Sequence, residues 1–366
     1  MKVLVFPKDS NPYQELLYSQ LRKKGLSITY LTSPIPSHTL WLLLLFPQLV
    51  IYRLMGYSIF HLHWLYTFQF PINSKYLNNS FTKIFFSVYF VLFLLLIKAM
   101  RYKLVWTVHN ILPHDQIFLN DIFMTKLLSK LCNAKIVHSS NIITEMKDMR
   151  INTKNIHVIP IGSYIDIYDN KISKQQAREK LAIPNNDFVF LYFGLIKKYK
   201  GVEELLDTFI KLLKKNKNIM LIIAGSCNDA TLFKKLDTYK NKYKDKLIIN
   251  TKFILNDEVQ YYFNAANIVV SPFRKVTTTS TPMVALSFSK PVIAPRLGSL
   301  LDLPENVGYF YDKTNDNGLY ESMLKAIVEK NTSNIKSSEA LKYVKSLSWE
   351  KIATMTDDLY KSLFIS

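Results

Sequence analysis

Short apolar and β-branched runs alternate with helical stretches along almost the whole chain, and this rhythm restricts the fold more than any other feature. Residues 2–6 open as a buried strand. Asp9, Ser10, Asn11 and Pro12 follow as a turn and helix cap, because short polar side chains accept from free helix N–H groups and proline suits the first turn. Residues 13–24 carry Leu16, Leu17 and Leu21 on one side and stop at Gly25, and residues 27–31 form a second strand. Strand–helix–strand order of this kind builds parallel α/β sheets. Residues 59–64, 103–108, 134–138 and 157–160 read as further strands, with Ile161, Gly162 and Ser163 as an exit turn. The polar stretch 168–176 reads as a linker. A second series then begins, with strands at 187–193, 219–224, 247–250, 268–271 and 291–294 and helices at 202–214, 230–243, 257–265 and 282–289.

The chain has 366 residues, which at roughly 150 residues per domain suits two domains. Hydrophobic residues make up 49% and charged residues 20%, so wholesale disorder is excluded. Cys132 and Cys227 lie far apart without a C-x-x-C pattern; that excludes a disulfide scaffold and a thiolate zinc site and fits a reducing compartment. The net charge of +19 has two readings. It attracts phosphates, nucleic acid or acidic lipid, or it reflects a composition rich in Lys, Asn, Ile and Tyr together; charge alone does not choose.

After Met1 and Lys2 only residues 3–7 are apolar, too few for a secretory signal. Two longer apolar runs occupy residues 40–52, interrupted by Pro47, and 84–97, bounded by Lys83 and Lys98. As a helix the second run spans about 21 Å, against a hydrocarbon core of ~30 Å. It is apolar all round, so it belongs in a core or in lipid. The expectation is a buried helix, or one that dips into a single leaflet with its flanking lysines at the headgroups.

Ligands of parallel α/β folds sit outside the carboxyl ends of the strands, so two loops matter most. The first, residues 194–201, reads Gly-Leu-Ile-Lys-Lys-Tyr-Lys-Gly between a strand and a helix. It aims backbone N–H groups and a helix start at any anion, and Lys197 and Lys200 add charge at the same mouth. It lacks P-loop spacing. The second, residues 271–282, gathers Arg274, Lys275, Thr278, Thr279, Ser280 and Thr281 before Pro282, another anion cradle. Each alone also reads as an ordinary solvated or capped loop; both in one domain favour a diphosphate site.

These residues resemble the nucleotide-sugar-binding domain of GT-B glycosyltransferases, close to the large family 4 or group 1 set. The resemblance rests on four stretches in the family's order: residues 192–209, 222–226, 257–273 and 285–303. It is looser in the first half, through HLHW at 61–64 and VWTVHNILPHD at 105–115, and residues 348–360 look like the family's final helix. It implies an α/β GT-B fold with two Rossmann-like domains facing a cleft. Residues 1–165 would hold the acceptor and carry the apolar helix near 81–100. Residues 166–345 would hold a UDP- or GDP-sugar, and residues 346–366 would return to the first domain. Lys197 and Lys200 fall where family members place cations on the donor diphosphate, with Gly194, Arg274, Thr278, Thr279, Ser280 and Thr281 around them. Leu195 takes the place of the usual arginine. His109 matches the family's cleft histidine. Ser10, His61, His63, Trp64, Asn110, His114 and Asp115 would line the acceptor side. The family's paired glutamates are Val276 and Val284 here, which leaves ribose recognition open, with Asp302 as a candidate for a donor hydroxyl.

Breaking a sugar–phosphate bond leaves negative charge on the departing diphosphate, which Lys197 and Lys200 would stabilise without a metal. A retaining reaction needs no protein base. An inverting one does, with His109, His114 or Asp115 as candidates. His61 and His63 share one strand face; His-x-His can begin a metal site, yet no third ligand follows at motif spacing, so no metal or other cofactor is expected. The reading is a metal-independent, retaining glycosyltransferase acting on a lipid-linked or polysaccharide acceptor, cytoplasmic and peripheral on the anionic inner face of the cell membrane. Two alternatives are weaker. A GT-B-fold epimerase or phosphorylase has no use for a membrane-directed helix. A nucleic-acid-binding protein would use lysine-rich stretches such as 211–217 and 234–246, which read instead as solvated helix faces without a nucleic-acid motif.

Overall fold

The computed structural model describes the chain except residues 10, 33–37, 66–67, 69–78, 114, 331–332 and 366. Two compact units emerge: Met1–Ile161 together with Trp349–Ser366, and Gly162–Ser348. Sequence reading put the divisions after 165 and 345. The structure draws residues 163 and 164 into the second unit, where Ser163 N–H donates to Leu347 O and Tyr164 N–H to Ser287 Oγ.

The first unit runs β1 (Lys2–Phe6), α1 (Pro12–Lys23), β2 (Ser27–Tyr30), α2 (His38–Leu54), β3 (Ile59–Leu62), α3 (Ser80–Ala99), β4 (Lys103–Thr107), α4 (Asp121–Leu131), β5 (Ala134–Val137), α5 (Asn141–Asp148) and β6 (Ile156–Val158). The strands are parallel in the order β2-β1-β3-β4-β5-β6. The strand order reverses at β1/β3, and that switch point opens a crevice at the carboxyl edge. Asn11 caps α1 by accepting from Tyr13 N–H, and Pro12 fills the first turn.

The second unit runs α6 (Lys174–Lys180), β7 (Phe188–Phe193), α7 (Val202–Leu213), β8 (Ile219–Ala224), α8 (Ala230–Lys242), β9 (Leu247–Asn250), α9 (Val259–Ala265), β10 (Ile268–Val270), α10 (Thr281–Ser287), β11 (Val292–Pro295), β12 (Gly308–Tyr311), α11 (Gly318–Val328) and α12 (Ser333–Lys345). Its parallel sheet has the order β12-β11-β10-β7-β8-β9, which switches between β7 and β10. These two strands feed the loops at 194–201 and 271–282.

The expected strands stand within about two residues of their predicted ends, the ordinary uncertainty of element boundaries. Helices α2, α4, α5, α11 and α12 and strand β12 are additional. One expectation is corrected: the linker at 168–176 already contains the start of α6. Ser173 and Gln176 form a reciprocal capping box there, which satisfies two otherwise unpaired N–H groups. The last helix, α13 (Trp349–Ser362), belongs to the first unit and packs along α1.

Helix α3 has two faces. Phe86, Phe90, Phe93, Leu94 and Ile97 are buried in the core of the first unit, whereas Phe81, Ile84, Phe85, Val88, Leu92 and Leu95 are exposed. Among the described residues it is the one helix long and apolar enough to cross a membrane, yet its inner face is committed to the sheet.

Candidate functional site

In the second unit, glycines bring three loops into contact. A Cβ at Gly225, after β8, would stand 2.1 Å from the carbonyl oxygen of Gly194, after β7. One at Gly201 would stand 1.9 Å from Pro272 O. Both positions also have positive φ, 144° and 74°, which only glycine adopts without strain. The approach is sealed by Arg274 N–H donating to Tyr199 O and Ser299 N–H to Thr277 O. The loops after β7, β8, β10 and β11 therefore form one wall at the switch point.

Lys200, Gly194 and Thr281 converge on that wall. A Cβ on Gly194 would meet Thr281 Oγ1 at 3.5 Å and Lys200 Nζ at 3.9 Å. Burial pushes the Lys200 ammonium down to about 8, and the nearby charge of Lys197 pushes the same way. No carboxylate among the described residues pairs with either lysine. Thr278 Oγ1 is buried without a partner in the same loop. A half-sequestered cation beside a threonine hydroxyl and glycine backbone suits an anion.

Beside this patch lies a pocket of about 260 Å³ that shares Gly194 with it. Tyr168, Phe193, Leu195, Ser226, Phe253 and Asn256 line it. Its volume is below the ~300–1,000 Å³ of drug-sized ligand sites, which suits one flat heterocycle. Phe253, at its mouth, is 72% exposed. Sequence reading did not single out Phe253 or Tyr168; the available signal was a lone aromatic in the turn after β9.

Other expected donor residues go elsewhere. Arg274 Nε stands 3.7 Å from Glu204, which Lys313 also approaches at 3.4 Å, so its charge is met within the protein. Asp302 is exposed, and its charge acts on Tyr343 of α12. Thr279 and Ser280 are half-buried; Thr279 Oγ1 accepts from Thr281 N–H. Val284 is buried and offers no acceptor. Lys197 is exposed.

In the first unit the carboxyl edge is filled by rings. His63, His109 and His138 follow β3, β4 and β5, and His61 lies within β3. His63 Nδ1 is 3.0 Å from His109 Nε2, and His63 Nε2 is 2.6 Å from the Tyr18 hydroxyl. Trp64 stacks on His109 at 4.2 Å and 12°, and Tyr13 meets that ring edge-on at 5.1 Å. Burial is the first cause holding all four imidazoles below their usual range, and neighbouring imidazoles add to it for His61, His63 and His109. His61 falls to about 3 and His138 to about 4. The rings are neutral at ordinary pH.

This geometry corrects one expectation. His61 is fully buried and engaged by Tyr18, Tyr360 and Thr107, so it supports the edge rather than lining an acceptor surface. His109 keeps 9% exposure at the rim. Asn110 is half-buried and Asp115 exposed. Ser10 and His114 lie outside the described residues. Among the described residues no three His, Cys, Asp or Glu are grouped to hold a metal.

Residues 173–343 match the family described as glycosyl transferases group 1. The chain is 27% identical over 169 residues to alpha-monoglucosyldiacylglycerol synthase of Acholeplasma laidlawii, covering 45% of this chain and 42% of that protein. It is 26% identical over 281 residues to a GDP-mannose:glycolipid 4-beta-D-mannosyltransferase of Xanthomonas campestris pv. campestris, covering 74% and 72%. The chain spans 42%, 63% and 58% of the length of the first curated relatives it matches. In fold it resembles sucrose-phosphate synthase from Thermosynechococcus elongatus, with TM-score 0.77, 17% identity and coverage of 99% and 98%. It also resembles Anabaena Alr3699/HepE, solved in complex with UDP, with TM-score 0.73, 15% identity and coverage of 99% and 100%. The fold is the two-domain α/β GT-B architecture.

Proposed function

We propose that this chain, whose residues 173–343 match the group 1 glycosyltransferases, moves a sugar from a UDP- or GDP-sugar to a lipid-linked or polysaccharide acceptor. The observation that carries the reading is Lys200 beside Gly194 and Thr281, with a small pocket sharing Gly194. A heterocycle in the pocket would leave its diphosphate at the lysine. Lys200 and the facing amides would then neutralise the leaving group as the glycosidic bond breaks, worth ~2–4 kcal/mol of barrier by analogy with oxyanion donors. Protein cations alone would serve, with no metal required. The departing phosphate would take the acceptor's proton, as a retaining reaction needs.

The acceptor reading rests on the outer face of α3. Its exposed stripe, Phe81, Ile84, Phe85, Val88, Leu92 and Leu95, continues into Leu119, Ile122 and Phe123 at the start of α4. Lys83, Lys98, Lys126 and Lys130 lie on the same two helices. A long apolar stripe with cations suits the surface of an anionic leaflet, here the cytoplasmic one. Two relatives bear names of enzymes acting on glycolipids, which supports the same acceptor class.

A thermal-shift screen with UDP, GDP, ADP and CMP tests the reading, since a ligand stabilises according to its affinity. UDP or GDP raises the melting temperature of the wild type, and Lys200→Ala abolishes the rise. No shift with any nucleotide overturns it.

A further inference from the structure

The turn that opens the second unit is held more firmly than a connection requires. On its leading side Ser163 N–H donates to Leu347 O at 2.8 Å, and Tyr164 N–H donates to Ser287 Oγ at 2.9 Å. Ser287 is fixed in turn on α10, where its hydroxyl donates to Met283 O at 2.7 Å. On the trailing side two buried amides of α9 hold the chain. Gln260 Oε1 accepts from Lys171 N–H at 3.0 Å. Asn264 Nδ2 donates to Asn170 Oδ1 at 2.8 Å and to Ile172 O at 3.1 Å.

Burying a polar side chain costs free energy unless it is hydrogen-bonded. Ser287, Gln260 and Asn264 are all buried, and all three direct hydrogen bonds to this one short stretch. A surface loop needs no such support, because water satisfies its backbone. What the pinned turn presents is Tyr168. Its ring is half-buried and lies parallel to that of buried Tyr164, at 6.4 Å and 13°. It lines the pocket that shares Gly194 with the anion wall. None of the described residues lining that pocket is acidic or basic, and only Tyr168, Ser226 and Asn256 have polar side chains. A ligand there meets mainly ring faces and aliphatic groups, and every nucleobase has a π-face that stacks on an aromatic ring.

We infer that Tyr168 is a nucleotide-binding residue whose ring is the fixed wall on which the donor's base stacks, with Asn264 as the positioning residue that holds the turn behind it. Tyr168 lies outside residues 173–343, the stretch that matches the glycosyltransferase family, so the base wall comes from the chain just before that stretch. Phe253, 72% exposed at the mouth of the same pocket, has no comparable support. Base and diphosphate are then recognised by separate groups, Tyr168 for the first and Lys200 for the second, with Gly194 common to both. The identity of the ligand rests on the glycosyltransferase reading.

Titration of UDP, or of GDP if the wild type prefers it, into the wild type and Tyr168→Ala tests the inference. The variant should bind about tenfold more weakly, within the range for loss of one base–aromatic stack, and should keep the wild-type melting temperature without ligand. Tyr168→Trp retains a flat ring and should bind like the wild type. Its added indole fluorescence, read after subtracting the same titration on the wild type with its four tryptophans, should be quenched by the nucleotide and not by inorganic pyrophosphate, which has no base. Asn264→Ala in the Tyr168→Trp protein should lower nucleotide affinity about threefold, as loss of a hydrogen bond does, and should lower the anisotropy of that indole; unchanged anisotropy removes the positioning role. Wild-type affinity in Tyr168→Ala, or an indole that the nucleotide does not quench, overturns the inference while leaving the glycosyltransferase reading intact. A wild type that binds neither nucleotide overturns that reading and the inference with it. If Tyr168→Ala does not fold, the quenching of Tyr168→Trp decides.

Discussion

The carboxyl edges of the two sheets are built from opposite materials. At the first, aromatic rings and four neutral histidines fill the strand ends, and hydroxyls meet both nitrogens of His61 and one of His63. At the second, glycines draw three loops together around a lysine that has no carboxylate partner among the described residues. Both sheets are parallel and both reverse strand order at one point. Topology therefore sets where a ligand sits, and local composition sets which ligand. One edge offers neutral donors and flat surfaces, as a sugar requires. The other offers positive charge and backbone amides, as a diphosphate requires.

The largest expected break in this contrast comes from Lys200→Ala, which should lower kcat about 10²–10³-fold while leaving the melting temperature near wild type. Steady-state transfer from UDP- and GDP-sugars checks it. His109→Ala should cost less, because a neutral donor contributes less than a charge-assisted one.

Next comes stability at the second edge. Gly201→Ala places a methyl against Pro272 O at a φ of 74°; backbone strain alone is worth about 1–3 kcal/mol, and the clash adds to it. Gly25→Ala has similarly positive φ with open space around it, so it should cost only the strain. Urea midpoints of the two variants measure the difference.

Acid sensitivity in the mildly acidic range should be concentrated at the first edge. Its histidines are held below their unfolded value of about 6.5, so the unfolded chain binds more protons. Their contribution is complete above that pH and is lost as pH falls toward about 4 for His138 and about 3 for His61. Each histidine adds ~1.4 kcal/mol per pH unit within that window. Hydrogen exchange resolved by segment, compared at neutral and mildly acidic pH, should show the first unit opening before the second.

The smallest effect belongs to the outer face of α3 and α4. Lys126→Gln should weaken sedimentation with anionic vesicles about fivefold, matching ~1 kcal/mol per basic residue, and added salt should weaken it further. Equal binding to neutral and anionic vesicles would remove the membrane reading.

The second edge was far more legible in the sequence than the first. Gly194, Lys197 and Lys200 sit in one continuous turn, and the turn's composition announces an anion. The ring array is assembled from β3, β4, β5, α1 and α13, so no sequence window contains it. His138, Tyr18 and Tyr360 carry no local signal that tells a packed ring from a functional one. The local partner of Arg274 was hidden for a related reason. Loop composition places a charge near the site, but Glu204, distant in sequence, meets the charge of Arg274. Phe253 was hidden because a single exposed aromatic has meaning only once the Gly194–Gly225 contact creates a pocket beside it.

Calorimetric titration of UDP and GDP into wild type and Lys200→Ala tests the account most directly. A diphosphate stabilises the ammonium, so affinity should be greatest below the free-state value of about 8 and should weaken as pH rises through it, by up to about tenfold per pH unit. The account predicts wild-type binding of at least one of the two nucleotides that weakens between about pH 7 and pH 9, and no measurable binding by the variant. Equal affinity in the two proteins, or wild-type affinity that does not change with pH, would contradict it.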